Sequence, residues 1–174
     1  PPPTPPADHV KDQMDRGLVD IGLLLEPIDI EKYEYIRLDM KERWIVLMRP
    51  DDPLAEKEAI AAKDLVELPL ILPRRLSVQS ELASWFGDYY EDLNVLFTSN
   101  LSTNASMMVN HGLAYSVVIE GSVPFWDQSK ITYRPLYPNL TATSVLAWKR
   151  GQPFSLAATK FIEHIKCLLG MGKA

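Results

Sequence analysis

Five apolar residues, Trp44-Ile45-Val46-Leu47-Met48, follow one another without a break, and Arg49, Pro50, Asp51, Asp52 and Pro53 close the run. An apolar run of this length between turn formers predicts a strand buried on both faces. Pro50 and Pro53 end it, because proline has no N–H to give a ladder and fixes its own φ. The chain is expected to leave one lobe and enter another near Met48 to Asp52. Ahead of this strand, Asp8 to Arg16 has a helical pattern, with Val10 and Met14 on one face and Gly17 placed to end it. Leu18 to Leu25 follows as a strand. Tyr33 to Leu38 alternates apolar and polar positions and reads as another, which Asp39 to Glu42 turns into the strand at Trp44.

Beyond the prolines, Ile60 to Leu68 reads as a short helix or turn and Pro69 to Leu72 as a short buried strand. Val78, Leu82, Trp85, Phe86 and Tyr89 recur at helical spacing and predict a helix from Ser77 to Tyr90. Val95 to Thr98 is the next strand, Asn104 to His111 the next helix and Ala114 to Ile119 a further buried strand. Ile131 to Leu136 and Thr143 to Trp148 are strands. Phe154 to Leu169 is a closing amphipathic helix, apolar at Phe154, Ala158, Phe161, Ile165, Leu168 and Leu169. Strand and helix alternate, which argues an α/β fold with mostly parallel sheets. A second crossing is expected near Tyr137 to Leu146, so that the last helix covers the first lobe. The division is then residues 8–49 with 137–174 as lobe I and 50–136 as lobe II. Residues 1–7, dominated by proline, form a polyproline arm or the remnant of an added sequence.

At 174 residues, with 47% hydrophobic and 24% charged positions, the composition is that of an ordinary globular chain. No apolar run approaches the ~18 residues that span a bilayer, so no membrane association is expected. No basic stretch followed by an apolar one opens the chain, so no signal peptide is expected. The single Cys167 excludes an internal disulfide and fits a reducing compartment. A net charge of −5 argues against DNA binding by this chain alone, since such binding draws on lysines and arginines that neutralise phosphates.

The chemistry of catalysis is not patterned here. The three histidines, His9, His111 and His164, lie in or at the ends of predicted helices without metal-ligand spacing. Ser116 lacks the glycine-flanked elbow of a nucleophilic serine. Cys167 is expected to be a packed, inert thiol. No glycine-rich phosphate loop is present. The expectation is a protein that is not an enzyme and carries no cofactor and no metal.

A binding site is easier to place. Open α/β sheets bind ligands at the carboxyl ends of their strands, where the following helices present free N–H groups. Three such ends are legible: Pro73 to Gln79, Thr98 to Asn104, and Ile119-Glu120-Gly121. The helix start at Ser77 carries partial positive charge and would favour a carboxylate or another anion. Thr98 to Asn104 supplies donors and acceptors, although the same residues are common turn formers.

Three stretches also resemble one family. D-R-G-L-V-D-I-G-L-L-L-E-P, R-W-I-V-L-M-R-P-D-D-P-L-A and M-V-N-H-G-L-A-Y-S-V-V are similar to segments of the effector-binding domain of LysR-type transcriptional regulators, and the likeness runs over roughly residues 8–169. In the third, Ala114 stands where glycine is commoner. The resemblance implies two Rossmann-like lobes joined by two crossover strands, a type-2 periplasmic-binding-protein-like fold. The first lobe would lack its first strand and helix, through truncation or a missing segment, which is favoured, or through a genuine deletion. It implies a small-molecule effector in the inter-lobe cleft, with Ser77, Val78, Asn100, Leu101 and Ile119 as lining residues. It further implies a cytoplasmic homodimer that reaches DNA through a winged helix-turn-helix outside this chain, with the helix around Val10 to Met14 a candidate interface. The alternative reading is a solute-binding protein of a transport system.

Overall fold

The computed structural model describes residues 6–122, 127 and 129–171, without the side chains of residues 6–9, 39 and 77. Along them run α1 (Pro6–Asp15), β1 (Gly22–Leu25), β2 (Tyr33–Met48), β3 (Ile60–Ala61), β4 (Leu70–Pro73), α2 (Leu76–Phe86), β5 (Val95–Ser99), α3 (Ser102–Asn110), β6 (Tyr115–Ile119), β7 (Thr132–Tyr137), β8 (Thr141–Lys149) and α4 (Leu156–Leu168). Contacts divide the chain into two compact units, residues 1–41 with 143–174 and residues 42–142. The chain passes between them inside β2 and again inside β8. Because both strands belong to both units, the hydrogen-bonded path β1-β8-β2-β6-β4-β5 is unbroken.

In the first unit β1 pairs antiparallel with β8, from Gly22 opposite Ala147 to Leu25 opposite Ser144. α1 packs on this pair through Met14, which is fully buried with Leu24, Tyr33, Val145 and Ala147. The approach is close at Gly22, where a Cβ would lie 2.6 Å from Met14 Sδ and 2.9 Å from Val10 Cγ1, so a larger residue would have to push these side chains aside. A second cluster joins Ile36 of β2, Trp148 of β8 and Ile162 of α4. The last helix therefore covers the first unit, as its apolar face predicts. β1 ends the path of strands, so one of its edges has no ladder partner among the described residues.

The second unit is built on the β2 run. Trp44, Ile45, Val46, Leu47 and Met48 are each no more than 2% exposed, a strand buried on both faces as its unbroken apolar pattern predicts. Burial of side chains of this size stabilises by roughly 1.5–3 kcal/mol each. Ile45 and Leu47 pack against Val109 of α3 and Ile131. β4 runs parallel to β5 and to β6, whereas β2 pairs antiparallel with β6 and with β7.

Several expectations are corrected. The sheets are mixed rather than mostly parallel, because the strands that carry the chain between units run against their neighbours β1, β6 and β7. The turn expected at Asp39 to Glu42 does not exist: β2 is one strand from Tyr33 to Met48. The units exchange the chain at Lys41/Glu42, earlier than Met48 to Asp52; the return at Ala142/Thr143 lies inside the expected Tyr137 to Leu146. The helix expected to reach Tyr90 stops at Phe86, because Gly87 takes φ +57° and the chain continues as a 3-10 turn, Gly87–Asp92. Of the proline-rich arm, residues 1–5 lie outside the description, while Pro6 and Ala7 already belong to α1. Cys167 is exposed, not packed. The α4 stripe that is buried runs through Ala158 and Ile162, with Phe161 and Leu168 turned to solvent. Met14 and Val10 of α1 turn toward the core, so it is the opposite face of this helix that is turned outward.

Candidate functional site

Parallel pairing sets the strand ends of the second unit side by side. Pro73 of β4 is opposite Ser99 of β5, and β6, in register with β4 through Tyr115 and Ser116, ends at Ile119. β2 runs the other way, which brings Trp44 opposite Ile119 and so to the same end of the sheet. Neighbouring strands are about 4.8 Å apart. Two helices start from it. α2 follows β4 with Arg75 as its N-cap residue, and α3 follows β5 with Leu101 as its N-cap residue; neither receives a side-chain capping bond. Their first-turn N–H groups point partial positive charge toward the edge.

The predicted residues separate at this edge. Asn100 sits between β5 and α3, and its Nδ2 is buried without a hydrogen-bond partner among the described residues. A buried donor left unpaired costs about 1–3 kcal/mol. Leu101 is 53% exposed, with its N–H donating to Ser99 Oγ at 3.1 Å. Ile119 is half-buried at the end of β6, and its carbonyl accepts the Ser122 hydroxyl at 2.7 Å. Val78 is 3% exposed and belongs to the apolar packing beneath α2, so the structure does not place it at the surface of the edge. Ser77 lies in the first turn of α2, and its side chain is outside the description. Of the two arginines, Arg75 is buried, while Arg74 ties the ends together: its Nε donates to Thr98 Oγ1 and its Nη2 to the Thr98 carbonyl, each at 3.2 Å.

Some participants were not foreseen. Trp44 Nε1 is the second buried donor at this edge without a partner among the described residues. Its ring is 2% exposed, so its N–H is no solvent group. Around Glu120, Arg43 donates Nε and Nη2 to the two carboxylate oxygens at 2.7 Å, and the Tyr133 hydroxyl donates to Oε1 at 3.2 Å. The hydrogen bond and charge of Arg43 hold Glu120 below the usual carboxylate range, while burial and Glu120 raise Tyr133. Next to it, the Gly121 N–H donates to Glu42 Oε2 at 2.9 Å. Sequence reasoning named Glu120 and Gly121 but had no means to find Glu42 or Arg43, which come from the remote strand β2.

The edge presents donors rather than a catalytic array. Among the described residues no cluster of histidine, cysteine, aspartate and glutamate is arranged for a metal ion, and no helix is long and apolar enough to cross a membrane. The edge combines the first-turn N–H groups of α2 and α3 with the carboxylates of Glu42 and Glu120 and the guanidinium of Arg43.

Comparison with known proteins agrees on one group. Residues 5–169 match the family model described as LysR substrate binding domain. The HTH-type transcriptional regulator YvbU of Bacillus subtilis (strain 168) is 33% identical over 165 residues, covering 94% of this chain and 55% of that protein. Among solved structures, HinK, a LysR family transcriptional regulator from Pseudomonas aeruginosa, aligns with a TM-score of 0.73 at 19% identity over 95% of this chain and 57% of that one. The regulatory domain of CcmR from Synechocystis PCC6803, solved in complex with 2-PG, aligns with a TM-score of 0.73 at 17% identity over 93% and 79%. The chain spans about half the length of the curated relatives it matches.

Proposed function

The chain belongs to the LysR substrate binding domain family, and from that premise we propose that it is the ligand-sensing domain of a transcription regulator. The relatives are regulators, so the reading as a solute-binding protein of a transport system has no support among them. The chain acts by binding rather than by catalysis. Contact with DNA belongs to a winged helix-turn-helix outside these residues, which suits the chain's own net charge of −5. The protein works in the cytoplasm, where promoter and metabolite are both within reach.

The effector is a small organic anion held at the strand ends of the second unit. The observation that carries this is the buried, unpaired Asn100 Nδ2 beside the uncapped starts of α2 and α3. Ser77, Leu101 and Ile119 border the same edge, and Val78 supports it from beneath. A ligand changes a regulator only by binding one of its states better than another. The shared strands β2 and β8 are the covalent routes by which occupancy of the second unit reaches the first. The domain also pairs with a second copy, and the open edge of β5 is the surface best suited to it.

A thermal-shift screen of small organic acids tests the effector assignment. A ligand at 100 times its Kd raises stability by about 2.7 kcal/mol, and Asn100→Ala should weaken the binding of any hit at least tenfold. Hits whose affinity is unchanged in Asn100→Ala would move the effector away from this edge.

A further inference from the structure

Beyond the ends of β4 and β5 one more rung holds the strands together: the Arg74 N–H donates to the Ser99 carbonyl at 3.2 Å. From that rung each chain runs two residues, at most about 7 Å, to a leucine. Leu76 opens α2 and is 78% exposed; Leu101 is the N-cap residue of α3 and is 53% exposed. Right-handed crossovers from β4 out to β5, and from β5 back across β4 to β6, send α2 and α3 to opposite faces of the sheet. The two leucines therefore flank the strand ends from two sides, at the kind of place where α/β sheets open a crevice. One exposed leucine is ordinary, but two meet at this rung. Leucine is also among the poorest N-cap residues. Leu101 is nonetheless fixed there: its N–H donates to Ser99 Oγ and its carbonyl accepts the Ser99 hydroxyl, each at 3.1 Å.

The charge beside the leucines is unbalanced. Arg16, Arg37, Arg43, Arg49 and Arg150 each stand against a carboxylate. Arg74 faces none among the described residues. Its Nε and Nη2 donate instead to two neutral acceptors, Thr98 Oγ1 and the Thr98 carbonyl, which hold the guanidinium at the end of β5. The carboxylates at this end of the sheet are committed elsewhere, Glu120 to Arg43 and Glu42 to the Gly121 N–H.

We propose that the effector is a monocarboxylate with an apolar body, its carboxylate on Arg74 and its alkyl or aryl body between Leu76 and Leu101. This rests on the reading of the edge as the effector site and narrows it. A second charge at the far end of the ligand would leave water for a leucine surface with nothing to pair it. Dicarboxylates and phosphorylated sugars are thereby selected against. A neutral ligand of the same shape leaves Arg74 unmatched.

Titration of the 15N-labelled chain with butyrate, hexanoate, hexanamide and adipate, followed at the amide resonance of residue 101, tests this. Hexanoate should bind about 16-fold more tightly than butyrate, roughly fourfold for each CH2 buried. Adipate and hexanamide, which share its chain length, should bind at least tenfold more weakly than hexanoate. The double variant Leu76→Ala/Leu101→Ala, changed only at exposed positions, should bring hexanoate to the level of butyrate. Arg74→Gln should remove the preference for hexanoate over hexanamide. The proposal is overturned if butyrate and hexanoate bind alike, if adipate matches hexanoate, or if Arg74→Gln keeps the preference. It is equally overturned if the resonance does not move up to tens of millimolar hexanoate, or if the leucine variant alters sedimentation but not affinity. Asn100→Ala separates two kinds of failure. Hexanoate affinity that ignores Asn100→Ala moves the effector off this edge and ends both readings. A response to Asn100→Ala with no dependence on chain length ends this one alone.

Discussion

The carboxylate of Glu42 accepts the backbone N–H of Gly121 at 2.9 Å, and a Cβ on Gly121 would lie 2.5 Å from Glu42 Oε1. Glu42 is the first residue of the second unit on β2, and Gly121 lies just past the end of β6. The contact fastens the entry of the chain into this unit to the edge that carries the candidate site. Gly121→Ala must push the carboxylate away. Because the obstructing atoms are the far end of a flexible side chain, the expected loss is that of one hydrogen bond, about 1 kcal/mol. In a Glu42→Ala background the same substitution should cost close to nothing. Urea denaturation of the four variants of this cycle measures the coupling. Equal losses in both backgrounds would show that the contact contributes nothing.

Asn100 reverses the usual sign of a buried substitution. Its Nδ2 has no partner among the described residues, so an apolar replacement of similar shape removes an unpaired group. Asn100→Leu is expected to leave stability without ligand unchanged or raised, by up to about 1 kcal/mol. The same variant should lose the rise in Tm that an effector gives the parent chain. Stability and ligand response moving in opposite directions, both read from thermal melts, is the signature of a group reserved for binding. A variant that melts much lower without ligand would show instead that Asn100 is a structural residue.

Alkaline pH should expose the tie between β6 and the turn that follows β2. The Tyr115 hydroxyl donates to Asp52 Oδ2, while Asp52 Oδ1 accepts the Leu54 N–H at 2.9 Å. Burial and the Asp52 carboxylate push Tyr115 from its ordinary value of 10.0 up to about 12. The folded state thus keeps the proton after the unfolded state has lost it. The stabilisation is complete below pH 10 and is lost as pH rises from about 10 to about 12. Tyr115→Phe should flatten that part of the profile relative to the parent chain. Identical slopes in the two proteins, measured by urea unfolding at a series of pH values, would refute the assignment.

The parts of this fold that were legible in the sequence are those where one physical demand acts alone. Trp44 to Met48 must be buried on both faces, and nothing but an unbroken apolar run does that. The strand-loop-helix order at Pro73 and Ser99 followed from turn chemistry, and with it the neighbourhood of Asn100. Residues 39–43 misled because a strand running from one unit to the next has little to bury: Met40, Lys41 and Arg43 are exposed, and polar extended chain looks like a turn. On α4, Phe161 and Ile162 are adjacent apolar residues, and periodicity could not decide which faces the core. The Glu42–Gly121 contact and the unpaired Trp44 N–H were out of reach. Whether an indole donor finds an acceptor depends on strands far apart in sequence, not on its own surroundings in the chain.

The open side of β5 carries the last prediction. β5 pairs only with β4 among the described residues, so its outer backbone groups face no strand. Val95, Leu96 and Phe97 are 40%, 46% and 47% exposed, so both faces of this edge strand present apolar surface to solvent. Such an edge is a template for another strand. When the partner is the same strand of a second copy, antiparallel pairing about a two-fold axis satisfies both edges at once and closes the assembly. The chain should therefore sediment as a dimer, and Phe97→Lys should make it a monomer with an unchanged circular dichroism spectrum. A lysine there places charge on the edge, the device by which monomeric proteins keep open strands from pairing. Equal sedimentation of Phe97→Lys and the parent chain across a dilution series would exclude β5 as the contact.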